Sequence, residues 1–180
     1  MFAGQALVKK ESPNLKVVKT VGVISDTHVP KRASCIPKRV FEVFQGVDYI
    51  IHAGDLVELA VIDELEQIAP VLAVRGNSDG LDIANALPKL TSLKVFDWKI
   101  GVSHDQNILD GVDTMSEIAK DNGFDVFVYG HTHIAKVSWE RKILYINPGS
   151  PTDPEGILNK PSVAILKITR ETITPEIITL

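Results

Sequence analysis

The stretch Val21-Gly22-Val23-Ile24-Ser25-Asp26-Thr27-His28 sets both the fold and the chemistry that this chain can support. It opens with an apolar run typical of a buried strand, and polar residues follow where that strand ends. Four more apolar runs end at a histidine, a carboxylate or an amide, at 50–55, 74–77, 101–104 and 126–133. Oxygen and imidazole donors gathered at strand ends favour a divalent metal site over a hydrophobic core.

Short strands alternate with helical patterns in the first two thirds of the chain. Predicted strands at 21–25, 49–52 and 71–74 are separated by helices at 37–45 and 58–68. In the second helix Leu59, Ile62 and Leu65 have helical spacing, and Pro70 ends that pattern. This alternation predicts right-handed crossovers and a parallel sheet.

Strands dominate after Pro88. They are predicted at 90–96, 99–103, 126–129, 136–139, 143–146, 163–169 and 172–178, with one helix at about 112–121. The first two form a hairpin that turns near Asp97. Crossover helices followed by a strand-rich tail predict two sheets packed face to face with helices outside. We expect a single domain over 20–180 after an N-terminal extension over 1–19.

Size, charge and cysteine content limit the class of protein. The 180 residues suffice for one domain with its own core. A net charge of -4 argues against general affinity for nucleic acid. A single cysteine, Cys35, excludes an internal disulfide and favours a cytoplasmic location. Its side chain is interpreted as a small hydrophobic one. Charged residues interrupt 1–19 before any run long enough for a secretory signal or a membrane span.

Strand geometry explains how the donors would converge. Residues two apart on a strand point to one side, so Asp26 and His28 would face one spot if the extended backbone continues beyond the sheet. Asp55 and Asn77 each follow a glycine, which lets the backbone turn tightly and present the side chain. His52 lies inside its strand and is interpreted as structural.

Each donor taken singly has another explanation. Asp26 could cap a helix or turn, Asn77 could be a turn residue, and His104 could be a hydrogen-bonded core histidine. His131 and His133, two apart at a strand end, have no simple packing role and favour metal binding. Together the segments predict a metal site.

The ordered motifs Asp26-x-His28, Gly54-Asp55, Gly76-Asn77, His104 and Gly130-His131-x-His133 resemble the signature of the calcineurin-like metallophosphoesterase superfamily. The short chain, Pro30, Arg32 and the segment 147–150 resemble its branch of small single-domain YfcE-type phosphodiesterases, to which the retromer vacuolar-sorting subunit is related. The resemblance covers about 21–169. It implies an α/β fold, a four-layer α/β/β/α sandwich of two mixed sheets flanked by helices, with a binuclear metal centre.

The resemblance also implies a ligand set. One metal would be held by Asp26, His28, Asp55 and His133, and the second by Asp55, Asn77, His104 and His131. Asp55 would bridge the metals, and Asp55, Asn77 and His104 are the expected catalytic residues. Relatives favour Mn or Ni, and a mixed nitrogen and oxygen donor set also permits Fe, Co or Zn.

The charge of such a centre favours an anionic substrate. Two carboxylates set against two divalent cations leave a positive surplus, which a bridging hydroxide only partly removes. The expected activity is therefore attack of that hydroxide on a small phosphodiester or phosphomonoester. A scaffold or protein-interaction module of the same fold is the alternative from another class, and a nuclease is the weaker enzymatic one. A homodimer is a further expectation, and a membrane partner is not expected.

Two positions depart from the wider superfamily pattern. Ser78 follows Asn77 where many members have a histidine that can protonate the leaving group, and Gln106 replaces a second imidazole near His104. Leaving-group protonation is thus open: Asp79 or a metal-ordered water could serve, or only substrates with good leaving groups would react quickly.

Three further features have two interpretations each. Arg75 could contact the substrate phosphate or pair with an acid. The segment 147–150 is interpreted as a turn rather than a site element. Lys31 and Arg32 are interpreted as part of a solvated loop, with a cationic rim as the alternative.

Overall fold

A computed structural model describes residues 17–104, 115–157 and 159–180. The first sheet and its helices comprise β1 (Lys19–Ile24), α1 (Lys38–Phe44), β2 (Tyr49–His52), α2 (Ala60–Glu66), β3 (Val71–Ala73) and α3 (Leu81–Ala86). The chain continues with β4 (Leu90–Val95), β5 (Trp98–Ser103), α4 (Met115–Asp121), β6 (Val126–Val128), β7 (Lys136–Glu140), β8 (Ile143–Asn147), β9 (Ser162–Ile168) and β10 (Ile173–Thr179). Nearly all of the predicted N-terminal extension, the first residues of the helix predicted at about 112–121, and Gln106 lie outside the described residues.

The strands form two mixed five-stranded sheets. The first has the order β10-β9-β1-β2-β3, with β1, β2 and β3 parallel and β9 antiparallel to both neighbours. The second has the order β4-β5-β6-β8-β7, with β5, β6 and β8 parallel and both edge strands antiparallel. The predicted pair of sheets and the hairpin near Asp97 are confirmed.

Apolar side chains fill the spaces between four layers. Between the sheets, Val23 and Ile51 pack with Ile100, Val128 and other buried aliphatic side chains. A second cluster joins the outer face of the first sheet to α1, α2 and α3, and a third joins the outer face of the second sheet to α4. The α/β/β/α sandwich is therefore as expected, and it exposes the carboxyl ends of the parallel strands along one edge.

Two expectations from the sequence are wrong. The helix α3 is absent from the predicted elements, because it spans only six residues and buries only Ile83, which leaves no periodic apolar stripe to detect. Cys35 is exposed rather than packed as a small hydrophobic side chain, and its neighbour Ile36 is buried instead.

No helix in the described ranges combines the length and hydropathy that crossing a membrane requires.

Candidate metal centre

The seven predicted ligands follow five strands that end at the same edge of the sandwich. Asp26 and His28 follow β1, Asp55 follows β2, Asn77 follows β3, His104 follows β5, and His131 and His133 follow β6. The two sheets are tied together here, because the backbone N–H of His131 donates to both carboxylate oxygens of Asp26 at 3.1 Å. Residues from opposite sheets therefore share one cluster.

One group of donors consists of Asp26, His28 and His133, whose potential ligand atoms all lie within 4.8 Å of one another. The Nε2 atoms of His28 and His133 are 3.1 Å apart. His133 Nε2 is 3.4 Å from Asp26 Oδ1, and His28 Nε2 is 3.6 Å from Asp55 Oδ2. Two imidazoles and a carboxylate aimed at one point are suitable ligands for a divalent transition metal.

The other group consists of Asp26, Asp55 and His104, again within 4.8 Å of one another. His104 Nε2 lies 3.4 Å from Asp55 Oδ1. Asn77 Oδ1 adds a further donor, since it is 3.0 Å from His104 Nε2 and 2.9 Å from His131 Nδ1. The structure thus brings together all seven residues that the sequence singled out.

The hydrogen bonds of two imidazoles show what this cluster needs. His104 Nδ1 is 2.8 Å from the carbonyl of Ala53, and His133 Nδ1 is 2.6 Å from the carbonyl of Asp153. Because a carbonyl only accepts, each Nδ1 carries a proton, which leaves Nε2 as the ring atom that could bind a metal. Both Nε2 atoms face carboxylate or amide oxygens, so a cation placed between them would meet nitrogen and oxygen donors together.

The electrostatics of the buried side chains lead to the same conclusion. Burial raises the pKa of Asp26, an effect that His104 only partly offsets. Burial alone would raise the pKa of Asp55, but His104 and Ser78 outweigh it and hold that pKa well below its usual range. Burial likewise acts to lower the pKa of His104, yet Asp55 and Asp26 raise it overall. The carboxylates therefore attract positive charge to this spot.

One side of the cluster is buried and the other is open to solvent. Asp26, His28, Asp55 and His104 are buried, whereas Asn77 and His131 are exposed. A ligand from solvent can therefore reach the Asn77 and His131 side of the cluster without any rearrangement of the core.

The backbone at the strand ends is not extended, contrary to the expectation from strand geometry. Asp26, His28, His131 and His133 have φ values of 53°, 46°, 71° and 55°, in the left-handed region. Five of the predicted ligands, with Asp55 at 58°, adopt this rarely populated conformation. Such residues cost conformational energy and concentrate at functional sites. The side chains converge because of these tight turns, and not because residues two apart on a strand share a face.

The two glycines of the aspartate and asparagine motifs act in different ways. Gly54 has a φ of 91° and makes the tight turn before Asp55, as expected. Gly76 does not adopt a left-handed conformation; a methyl group there would overlap Asp55 Oδ1. Gly76 is thus required for the close approach of the backbone to the Asp55 carboxylate, and the explanation by a tight turn is wrong for it.

The segment 147–150 is structural and holds the ligand loops in place. Asn147 Nδ2 donates to the carbonyl of Gly130 at 2.8 Å, and Ser150 Oγ donates to the carbonyl of Asp26 at 2.7 Å.

Sequence reasoning missed the next residues, Thr152 and Asp153. Thr152 Oγ1 donates to the carbonyl of Thr27 at 2.7 Å, and Asp153 orients His133. No sequence pattern indicates these contacts, because they join distant parts of the chain.

His52 is structural, in agreement with its position inside β2. It is fully buried, and burial lowers its pKa to about 3. Its Nδ1 accepts the backbone N–H of Gly54 at 3.2 Å, so its Nε2 carries the proton and donates to Thr27 Oγ1 at 3.1 Å. The neutral ring therefore links the loop after β1 to the turn before Asp55.

Asp79 and Arg75 both have roles other than those considered from the sequence. The carboxylate of Asp79 accepts the backbone N–H groups of Asp55, Val57 and Gly76 at 3.1, 2.7 and 2.7 Å. Both of its oxygens are thus acceptors, which argues against a proton donor. Arg75 Nη1 donates to the carbonyl of Ala84 at 3.1 Å, so this guanidinium anchors α3.

Comparison with known proteins identifies the family. The model of the calcineurin-like phosphoesterase superfamily domain matches residues 20–171. The chain belongs to this superfamily. It is 43% identical over 136 residues to a "probable metallophosphoesterase" of Methanocaldococcus jannaschii, an alignment covering 74% of this chain and 69% of that protein. It is 31% identical over 146 residues to a phosphodiesterase of the same organism, covering 72% and 82%.

The calcineurin-like fold also has a structural counterpart among sorting proteins. Vacuolar protein sorting 29 from Cryptosporidium parvum superposes with a TM-score of 0.74, covering 91% of this chain and 98% of that one. The sequence identity is 20%, so this likeness concerns the fold alone. Calcineurin-like phosphoesterases use divalent metals, and the two donor groups of this chain fit that chemistry.

Proposed function

We propose that this protein is a metal-dependent phosphodiesterase with a binuclear centre whose shared ligand is Asp55. The observation that carries the proposal is the placement of the two oxygens of this carboxylate. Oδ2 lies 3.6 Å from His28 Nε2 in one donor group, and Oδ1 lies 3.4 Å from His104 Nε2 in the other. A carboxylate with one oxygen towards His28 and the other towards His104 is suited to bridge two cations. Asp26 also belongs to both donor groups, but it offers the same oxygen, Oδ1, to His133 at 3.4 Å and to His104 at 3.9 Å.

The proposed ligands are those that the resemblance assigned. Asp26, His28, Asp55 and His133 would hold one cation, and Asp55, Asn77, His104 and His131 the other. When bound, two divalent cations would lower the pKa of coordinated water and neutralise charge on a phosphate. Manganese is the ion we propose, and the donor set also suits Ni, Fe, Co and Zn.

The chain's own side chains would position the substrate. Asn77 and His131 border the open side of the cluster, where a small phosphate ester would enter. Two cationic side chains stand next to this region: Lys31 Nζ donates to the carbonyl of Ser78 at 3.2 Å, and Arg32 Nε is 3.3 Å from Asp153 Oδ2. They favour approach of an anion, so the loop after His28 serves as a cationic rim as well as a solvated surface.

The neighbours of Asp55 are poorly suited to protonate a leaving group. Ser78 Oγ already donates to Asp55 Oδ2 at 2.8 Å, and both oxygens of Asp79 accept backbone N–H groups. The proton would then come from solvent. We therefore propose that phosphodiesters with good leaving groups, such as activated aryl esters, react fastest.

An assay with a matched variant tests the proposal. Purified protein supplied with Mn²⁺ is incubated with an activated aryl phosphodiester, and product is compared among wild type, Asp55→Asn and Asp63→Asn. Asp63 is an exposed aspartate of α2, so its variant makes the same chemical change away from the cluster. We expect Asp55→Asn to lose at least about 100-fold in kcat/KM and Asp63→Asn to match wild type.

The alternative is a scaffold of the same fold. The structural likeness to a vacuolar sorting protein supports it, whereas the presence of both Asp55 and Asn77 favours catalysis. Equal and negligible turnover in all three proteins, each shown to be folded by circular dichroism, would overturn the phosphodiesterase proposal in favour of the scaffold.

A further inference from the structure

The strand β7 forms one edge of the second sheet and is unusually open. Within the described residues its only strand partner is β8, so its other edge carries unpaired backbone N–H and C=O groups. Four of its five residues are exposed. Val137 and Trp139 are among them, with 38% and 58% of their surface accessible. An exposed edge that carries two large apolar side chains is suited to pair with another strand.

The sequence of β7, Lys136-Val137-Ser138-Trp139-Glu140, is complementary to itself when reversed. If two copies pair antiparallel about Ser138, Lys136 of one copy lies opposite Glu140 of the other. Val137 then lies opposite Trp139. Opposite charges and aromatic–β-branched pairs are both favourable directly across an antiparallel ladder. Pairing about a single two-fold axis therefore places a favourable partner opposite each charged and each apolar side chain of the strand.

The charged and the apolar side chains of β7 lie on opposite faces of the strand, as such pairing requires. Lys136, Ser138 and Glu140 share the face on which Tyr145 of β8 lies, and among the described residues neither Lys136 nor Glu140 has an ion-pair partner. Val137 and Trp139 point to the other face, towards the space between the sheets. A groove of about 590 Å³ opens there, lined by Val137, Ile177 of β10 and other residues.

Two of the other edge strands are less suited to this role. β10 contains Pro175, which lacks a backbone N–H, and pairing about its central residue would place Glu176 opposite its own copy. β3 has only three residues. β7 combines an open backbone edge, exposed apolar side chains and charges that match on reversal.

We propose that this protein forms a symmetric homodimer in which β7 pairs antiparallel with β7 of a second copy. The two second sheets would join into one continuous sheet through an axis at Ser138. Val137 and Trp139 of both copies would form an apolar cluster next to the groove. This proposal does not depend on the proposed function, because it involves none of the candidate ligands.

Charge reversal tests the pairing and its register. In Lys136→Glu both charge pairs become Glu opposite Glu, and in Glu140→Lys both become Lys opposite Lys. We expect each variant to weaken self-association at least about tenfold, as measured by sedimentation equilibrium. Lys94→Glu is the matched control, since Lys94 is exposed on β4, at the opposite edge of the same sheet. It should associate as wild type does.

Mixing the variants provides the decisive measurement. In Lys136→Glu both ends of the strand are acidic, and in Glu140→Lys both ends are basic. An equimolar mixture of the two single variants should therefore form heterodimers that are visible by native mass spectrometry. The double reversal Lys136→Glu/Glu140→Lys should restore self-association. A monomeric wild type at concentrations of about 100 μM, single variants that associate normally, or a mixture that stays monomeric would each overturn the proposal.

Discussion

The candidate metal centre and the β7 edge depart in opposite directions from the usual distribution of side chains. At the metal centre Asp26, Asp55 and His104 are 0%, 2% and 2% exposed, although charged groups are rarely buried. At the β7 edge Val137 and Trp139 are exposed, although large apolar side chains are usually covered. Each region is therefore suited to a partner of a different kind, a cation at the metal centre and a strand at the β7 edge.

The two departures differ in the free energy that they cost the folded chain. An unpaired buried charge costs several kcal/mol, so the carboxylates require hydrogen bonds from Ser78 and the His131 backbone even before a cation binds. An exposed tryptophan costs the single chain little, since much of any protein surface is apolar. Changes at the metal centre should thus affect both activity and folding, whereas changes at β7 should affect association only.

The largest effect is expected from His104→Ala, which removes a proposed ligand from only one of the two donor groups. We expect the metal content to fall from two ions per chain towards one, with a loss of about 100-fold or more in phosphodiester hydrolysis. Elemental analysis after exposure to Mn²⁺ and desalting measures the first quantity. Full retention of both ions would show that His104 is not a ligand.

A smaller effect, on stability, is expected from Asp79→Asn. An amide can present only one acceptor oxygen where the carboxylate of Asp79 receives three backbone N–H groups, so the free energy of unfolding should fall by about 1–3 kcal/mol. Trp139→Ser, compared at dilute protein, should change it by less than about 0.5 kcal/mol. Urea denaturation of both variants tests this contrast. A larger loss in Trp139→Ser would mean that β7 is part of the core.

The smallest effect is expected at an ordinary surface pair, which provides a reference for both regions. Burial acts to raise the pKa of Asp48, but hydrogen bonds from Lys19 and Thr20 outweigh it and lower this pKa overall. The pKa of Asp48 is lower in the folded state than in the unfolded state. Its carboxylate therefore stabilises the fold at pH values above the usual pKa range of aspartate, and this stabilisation is lost as the pH falls. Asp48→Asn should cost about 0.5 kcal/mol at pH 7 and nothing in strong acid.

Unfolding measured between pH 7 and pH 2 in wild type and Asp48→Asn tests this sign. A difference that grows as the pH falls would contradict it.

The sequence predicted the strands better than the loops that follow them. An apolar run such as 21–24 marks a strand through local pattern alone, and all the long predicted strands are present. Short α3 escaped prediction, because six residues with one buried side chain carry no periodicity. The exposure of Cys35 escaped it too, since a residue outside any strand or helix has no periodic pattern that assigns it to a buried face. The left-handed backbone at Asp26 and His28 also escaped it, since non-glycine residues adopt that conformation only where tertiary contacts enforce it.

The types of the donor residues and their places at strand ends are properties of the sequence itself, because each ligand is a few residues from the strand that carries it. Only the tertiary structure decided how the donors are held. The carbonyl of Asp153 fixes the tautomer of His133, Ser150 supports the backbone of Asp26, and Asp79 receives backbone N–H groups from two loops. These contacts join residues far apart in the chain, and no local pattern encodes a distance that folding alone creates.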